Sequence, residues 1–142
     1  MTAINPYLGF NGNCEHAFLF YKSVFGGEFA IIQRFKEVPS SEPPLPDSEG
    51  NKLMHVSLPI GRNILMGSDR PGSFPPGVQG DHFSIAIEAD TQKDADRLFN
   101  GLAAGGKITM PIGKTFWGAY FGMLADKFGI LWMVSYTEAL HK

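Results

Sequence analysis

Four histidines and one cysteine are the residues of this chain most able to do chemistry near neutral pH. Two of the histidines, His55 and His82, lie in stretches that alternate with a period of two, the pattern of a half-buried strand. In the first, Met54, Val56 and Leu58 make an apolar face, and His55, Ser57 and Pro59 the opposite one. In the second, Phe83, Ile85 and Ile87 are expected to face a helix, leaving His82 with Ser84 and Ala86 on the open side. An imidazole on an open sheet face can contact a ligand or serve as a general base, and the alternative is a hydrogen-bonded structural histidine. His16, in a first helical turn, and His141, at the tail, read as solvated surface residues. Cys14 sits at the start of a helix, where the dipole can lower a thiol pKa. No base is evident beside it in sequence, so a small residue packed under a turn is the plainer reading.

A second group could hold a flat apolar ligand: Trp117, Phe121, Trp132, Met66 and Met133. Methionine adapts to irregular shapes and favours aromatic contact, although core filling uses the same residues. Trp117 and Phe121 stand out because their expected strand, 116–124, alternates with Gly118 and Gly122, where something can approach the backbone or the strand can bend. No glycine-rich phosphate loop, serine-nucleophile motif or paired-carboxylate signature occurs. The single cysteine excludes an intrachain disulfide and a cysteine-rich metal site.

The 142 residues suit one domain, with module 1 at about 4–70 and module 2 at about 81–136. A net charge of −2 gives no basic excess, so neither nucleic acid nor an anionic membrane is expected as a partner. No apolar run approaches the ~18–20 residues that span a bilayer. The first residues, Met1–Pro6, lack the features of a secretory signal, and a cytoplasmic location is expected.

The elements that must position these residues repeat. One helix starts at Asn13, with Ala17, Phe20, Tyr21, Val24 and Phe25 as its buried stripe, and stops at Gly26-Gly27. A second starts at Thr91, with Asp94 completing a capping-box variant, and carries the stripe Ala95, Leu98, Phe99, Leu102 and Ala103 up to Gly105-Gly106. The offset is 78 residues between stripes (Ala95 against Ala17) and 79 between glycine pairs (Gly105 against Gly26). Strands are expected at 7–10, 29–35, 53–60 and 63–68, then at 82–87, 108–112, 116–124 and 130–135. Each half reads β-α-β-β-β. Residues 37–50, with four prolines, form an expected mobile loop, and the proline-bearing stretch 69–81 joins the halves. The fold class is therefore α+β. Paired βαβββ modules form a curved, partly closed mixed sheet with helices outside and a small-molecule cleft within.

Several motifs resemble a known family. Pro6-Tyr7-Leu8-Gly9-Phe10-Asn11-Gly12-Asn13-Cys14-Glu15-His16-Ala17, followed by Phe20-Tyr21 and Phe25-Gly26-Gly27, resembles the opening of the glyoxalase/bleomycin-resistance/dioxygenase (vicinal oxygen chelate) superfamily. The Gly-Asn-Cys-Glu form is similar to its PhnB-like branch. The ending agrees, with Trp117-Gly118-Ala119-Tyr120-Phe121-Gly122 and then Asp126-Lys127-Phe128-Gly129-Ile130-Leu131-Trp132, where Lys127 replaces a usual proline.

The resemblance implies paired βαβββ modules, a site in the concave sheet and a homodimer. It also puts the four metal-ligand positions of metal-dependent members at Pro6, Met66, His82 and Met133. Only His82 suits a hard or borderline divalent ion, so no metal and no cofactor are expected. The function expected is metal-free binding of a small, partly aromatic or apolar molecule through His82, His55, Trp117, Phe121, Met66, Met133 and Ser84. The alternative is an enzyme of the superfamily (lyase, isomerase, dioxygenase or transferase) with a non-standard site around His82 and His55.

Overall fold

The computed structural model describes residues 2–37 and 47–141, so most of the expected proline-rich loop at 37–50 lies outside the described residues. The chain divides into two compact units, Met1–Val78 and Gln79–Lys142. The first contains β1 (Tyr7–Phe10), α1 (Cys14–Phe25), β2 (Ile31–Arg34), the one-turn α2 (Asp47–Gly50), β3 (Leu53–Ile60) and β4 (Asn63–Asp69). The second contains β5 (Ile85–Glu88), α3 (Gln92–Ala103), β6 (Lys107–Lys114), β7 (Tyr120–Ala125) and β8 (Leu131–Tyr136). Apart from α2, each unit is the expected β-α-β-β-β.

Each unit holds its own four-stranded mixed sheet, in the order β1-β4-β3-β2 in one and β5-β8-β7-β6 in the other. The first strand pairs parallel to the last in both, and every other neighbour is antiparallel. Neither sheet closes on itself, so each keeps two edge strands. Pro111 is accommodated because β6 is an edge, where a missing N–H costs no ladder bond.

The two helices cover the same face of their sheets through the same device. The buried stripe of α1 is Cys14, Ala17, Phe18, Tyr21 and Val24. This corrects the expected stripe: Phe18 is fully buried, whereas Phe20 and Phe25 are only partly covered. The reason is Gly67, directly beneath the helix, where an added Cβ would lie 2.5 Å from the Phe18 ring. In the other unit a Cβ on Gly122 would lie 2.7 Å from the Phe99 ring of α3. A glycine on the sheet thus lets a phenylalanine edge reach the backbone in both units. The stripe of α3 is as expected at Ala95, Leu98, Phe99 and Leu102, while Ala103 at its end is part-exposed.

The caps differ. Thr91 Oγ1 accepts the Asp94 N–H at 3.0 Å, as its sequence predicts. Asn13 makes no side-chain cap. Its task falls to Asp69 at the end of β4, whose buried carboxylate accepts the N–H groups of Gly12 (3.0 Å), Cys14 (2.9 Å) and Leu53 (2.9 Å). In the second unit Asp126 ties the turn before β8 and no helix start. It accepts from the Phe128 and Ile130 N–H groups at 2.8 and 3.0 Å and from the Trp132 indole at 2.9 Å.

Candidate functional site

With one face of each sheet taken by a helix, the other is where partly exposed side chains collect. In the first unit the register puts Tyr7, Met66, Ser57 and Ile31 in one row across the four strands, of which Ser57 alone is buried. Leu8, Leu65, Val56 and Leu58 point the other way and are buried. His55, two residues before Ser57, therefore lies on the helix-free face, directly opposite Gln33. Its ring meets Tyr7: the phenol oxygen is 3.3 Å from Nδ1, with ring centroids 5.7 Å apart and planes inclined by 31°.

The geometry of that meeting follows from the strands. Tyr7 and His55 stand on β1 and β3, two strand spacings apart across β4 and two residues apart along the strands, so about 12 Å separates their backbones. Gly9, two residues after Tyr7 on the same strand, carries no side chain on this face, and a Cβ there would have only Arg70 Nε within 4 Å, at 3.8 Å. Tyr7 was not among the expected site residues. The available signal was the alternation Tyr7-Leu8-Gly9-Phe10, in which burial of Leu8 and Phe10 forces Tyr7 to the open face.

The second unit presents a different surface. Ala86, Met133, Met123 and Met110 form one row across β5, β8, β7 and β6. None of the three methionines is buried, whereas Trp132, Val134 and Leu124 on the helix side are. The next row brings Glu88, Ser135 and Phe121 together. Trp117 lies 5.9 Å from the Phe121 ring and 5.0 Å from that of Phe116, giving a run of three aromatics. The Glu88 carboxylate is held by the Ser135 hydroxyl at 2.9 Å and by the Thr137 N–H at 2.8 Å. Met123 and Met110 were missed in sequence because a cross-strand row exists only once register is set.

Two local expectations are corrected here. The strand expected at 82–87 starts at Ile85, so His82 and Ser84 precede it and Phe83 is 69% exposed instead of facing the helix. The register matches Tyr7 with Ala86, because they pair with Met66 and Met133 respectively. That offset of 79 residues equals the offset of the glycine pairs, and it leaves His82 three residues ahead of the position equivalent to Pro6. The strand expected at 116–124 likewise starts only at Tyr120. Gly118, at φ 90°, belongs to the preceding turn, where Thr115 Oγ1 accepts the Ala119 N–H at 3.1 Å. Trp117 thus stands on a hairpin tip, and the approach permitted by Gly122 is filled by Phe99 from the helix side.

Other candidates are accounted for locally. Cys14 is completely buried, and burial, with Asp69 and Glu15 adding to it, pushes its thiol well above the ordinary range. It is no ready nucleophile. Among the described residues no three or more of His, Cys, Asp and Glu are grouped as a metal site requires. A hollow of about 350 Å³ beside Phe35, Glu49, Pro71, Gly72 and Ser73 contains none of the expected site residues. The Glu49 carboxylate there already pairs with Lys52 at 3.2 Å.

Comparison with known proteins agrees with this architecture. The model of the Glyoxalase/Bleomycin resistance protein/Dioxygenase superfamily matches residues 3–134. The chain is 32% identical to protein YjdN of Escherichia coli (strain K12), over 95% of each. The crystal structure of protein PA1353 from Pseudomonas aeruginosa is 41% identical, with a TM-score of 0.83 over 96% of this chain and 98% of that one. A PhnB protein from Bacillus cereus, described as a putative 3-demethylubiquinone-9 3-methyltransferase, is 26% identical, with a TM-score of 0.73 over 96% of this chain and all of that one (100%). Sequence motifs, strand order and these likenesses converge: the chain belongs to the glyoxalase/bleomycin resistance protein/dioxygenase superfamily, and its relatives include PhnB-like proteins.

Proposed function

We propose that this protein binds a small, partly aromatic or apolar molecule without a divalent metal, on the helix-free faces of its sheets. The observation that carries this reading is the surface of Trp117, Phe121, Met110, Met123 and Met133, apolar yet incompletely covered. A sheet whose other face already buries Trp132, Val134 and Leu124 does not need these residues for its core. Thioethers and aromatic faces together accept flat ligands of varied outline. His55, Met66, His82 and Ser84 belong to the same proposal as ligand contacts. Of the four positions at which the resemblance places metal ligands, Pro6 has no donor side chain, the thioethers of Met66 and Met133 are poor ligands for hard ions, and His82 stands three residues ahead of the register equivalent of Pro6. A cytoplasmic homodimer is the form proposed to do this.

The test is thermal denaturation of the purified protein against a library of aromatic metabolites and antibiotics. A ligand that binds only the folded state at a hundred times its Kd stabilises by about 2.7 kcal/mol, a rise of several degrees in Tm. Trp117→Ala should abolish that rise. A library with no stabilising member would overturn the proposal.

The second reading, an enzyme around His55 and His82, is favoured by the Tyr7–His55 contact, which puts two proton-bearing groups together. It leads if a stabilising compound is converted to product and His55→Ala keeps binding but loses turnover.

A further inference from the structure

We propose that Tyr7 and His55 form the polar anchor of the first sheet's open face and take the oxygen of a planar ligand: a conjugated carbonyl, a carboxylate or a phenolate. The inference rests on the small-molecule reading above and names the chemistry such a ligand must carry.

The argument starts from the 3.3 Å contact between the phenol oxygen and Nδ1. A neutral imidazole has one N–H, so two arrangements satisfy this contact. In one, Tyr7 donates its O–H to Nδ1, and His55 turns an Nε2–H outward. In the other, Nδ1–H donates to the phenol oxygen, and the Tyr7 O–H turns outward. Either way the pair has one polar hydrogen left for something else. A ligand oxygen is its natural acceptor, and a purely hydrocarbon ligand would leave that donor unpaired.

Position supports the same conclusion. Tyr7 is 51% exposed and His55 partly so, hence both can be reached. Met66 lies beside Tyr7 in its row, so an apolar, deformable contact adjoins the donor. Arg34 is committed to Glu15 through contacts of 2.9 and 2.6 Å, whereas the exposed Arg70, whose Nε lies 3.8 Å from where a Gly9 Cβ would stand, is a cation near this face and spends one donor on the Pro75 carbonyl at 3.3 Å.

The experiment compares acetophenone with ethylbenzene, which share ring and reach and differ in the carbonyl oxygen. Each is titrated into protein carrying ¹⁵N-labelled histidine and ¹³C-methyl methionine, with NMR detection. Acetophenone is expected to bind roughly three- to ten-fold more tightly, the worth of one net hydrogen bond. It should also shift the His55 ring nitrogens. Tyr7→Phe and His55→Ala should each reduce acetophenone to the affinity of ethylbenzene. Tyr7 is half exposed on an edge strand, so Tyr7→Phe leaves the core intact and serves as the primary variant. Equal binding of the two compounds, or discrimination that survives both substitutions, overturns the anchor alone. If neither compound perturbs His55 or any methionine on either open face, the small-molecule reading falls with it.

Discussion

Two buried aspartates do work that the helices and hairpins cannot do for themselves. Asp126 is 4% exposed and gathers two backbone N–H groups and the Trp132 indole. Hydrogen bonds to a charged group are worth about 1.5–3 kcal/mol each, and unpaired buried donors add to the loss. Asp126→Ala should therefore destabilise by about 2–4 kcal/mol, read from the denaturant midpoint, while Asp126→Asn, which keeps one oxygen, should cost less. A substitution within experimental error of wild type would mean that water replaces the carboxylate at no cost. Cys14 makes the opposite kind of prediction. Its thiol is buried and its pKa is pushed far up, so thiolate is scarce at any ordinary pH. A disulfide reagent at pH 8 should label it only at the rate of unfolding, and rapid labelling of native protein would refute the burial.

At the level of elements, α1 and α3 share a plan and differ in how they are tied down. Thr91 caps α3 locally, so Thr91→Ala should cost about 1 kcal/mol and leave the rest of the unit intact. The start of α1 is tied to β2 by a bidentate pair, Arg34 to Glu15 at 2.9 and 2.6 Å. Hydrogen bonding from Arg34 holds the Glu15 carboxyl below its ordinary value. A depressed acid stabilises above its unfolded pKa, and that contribution is lost as pH falls through the lower, folded value. The loss therefore belongs to the acid limb, below about pH 4. Glu15 is 40% exposed, so screening holds the contribution to about 0.5–1 kcal/mol. Glu15→Gln should lower stability at pH 7 by that amount, and little at pH 2 or in molar salt. A difference unchanged by salt and pH would assign the effect to packing. Gly122→Ala forces a methyl to within 2.7 Å of the Phe99 ring and 2.8 Å of the Ile112 backbone, and should cost about 1–3 kcal/mol by overpacking.

At the level of the whole molecule, each open sheet leaves edges that a second copy can cover. Exposed Ile108 and Met110 on edge strand β6 make that edge an aggregation liability unless it is paired or covered. A symmetric dimer is the economical solution, and light scattering after size exclusion should give twice the chain mass of 15.6 kDa. A monomer at micromolar concentration would refute this. Elemental analysis of untagged protein should find far less than one zinc, nickel, manganese or iron per chain, because structural and catalytic zinc sites draw on at least three protein ligands. Near-stoichiometric metal that vanishes in His82→Ala would reverse the order of the two functional readings.

The order of elements and the α+β class followed from periodicity, and the start of α3 and the end of α1 were legible in the residues because each depends on contacts within a few positions. Thr91 caps from three residues away, Gly26 at φ 81° ends α1 where it stands, and the stripe of α3 follows from helical periodicity alone. What tertiary structure decided always involved a partner remote in the chain. Asp69 caps α1 from 55 residues beyond Cys14, and Phe18 is buried because Gly67 lies beneath it. Strand β5 begins at Ile85, where pairing with Trp132 begins, although alternation alone extends back to His82. Tyr7 meets His55 across 48 residues of sequence because β4 sits between their strands. Alternation tells which residues share a face of a strand. Only the register between strands tells which of them touch, and the candidate site is made of such touches.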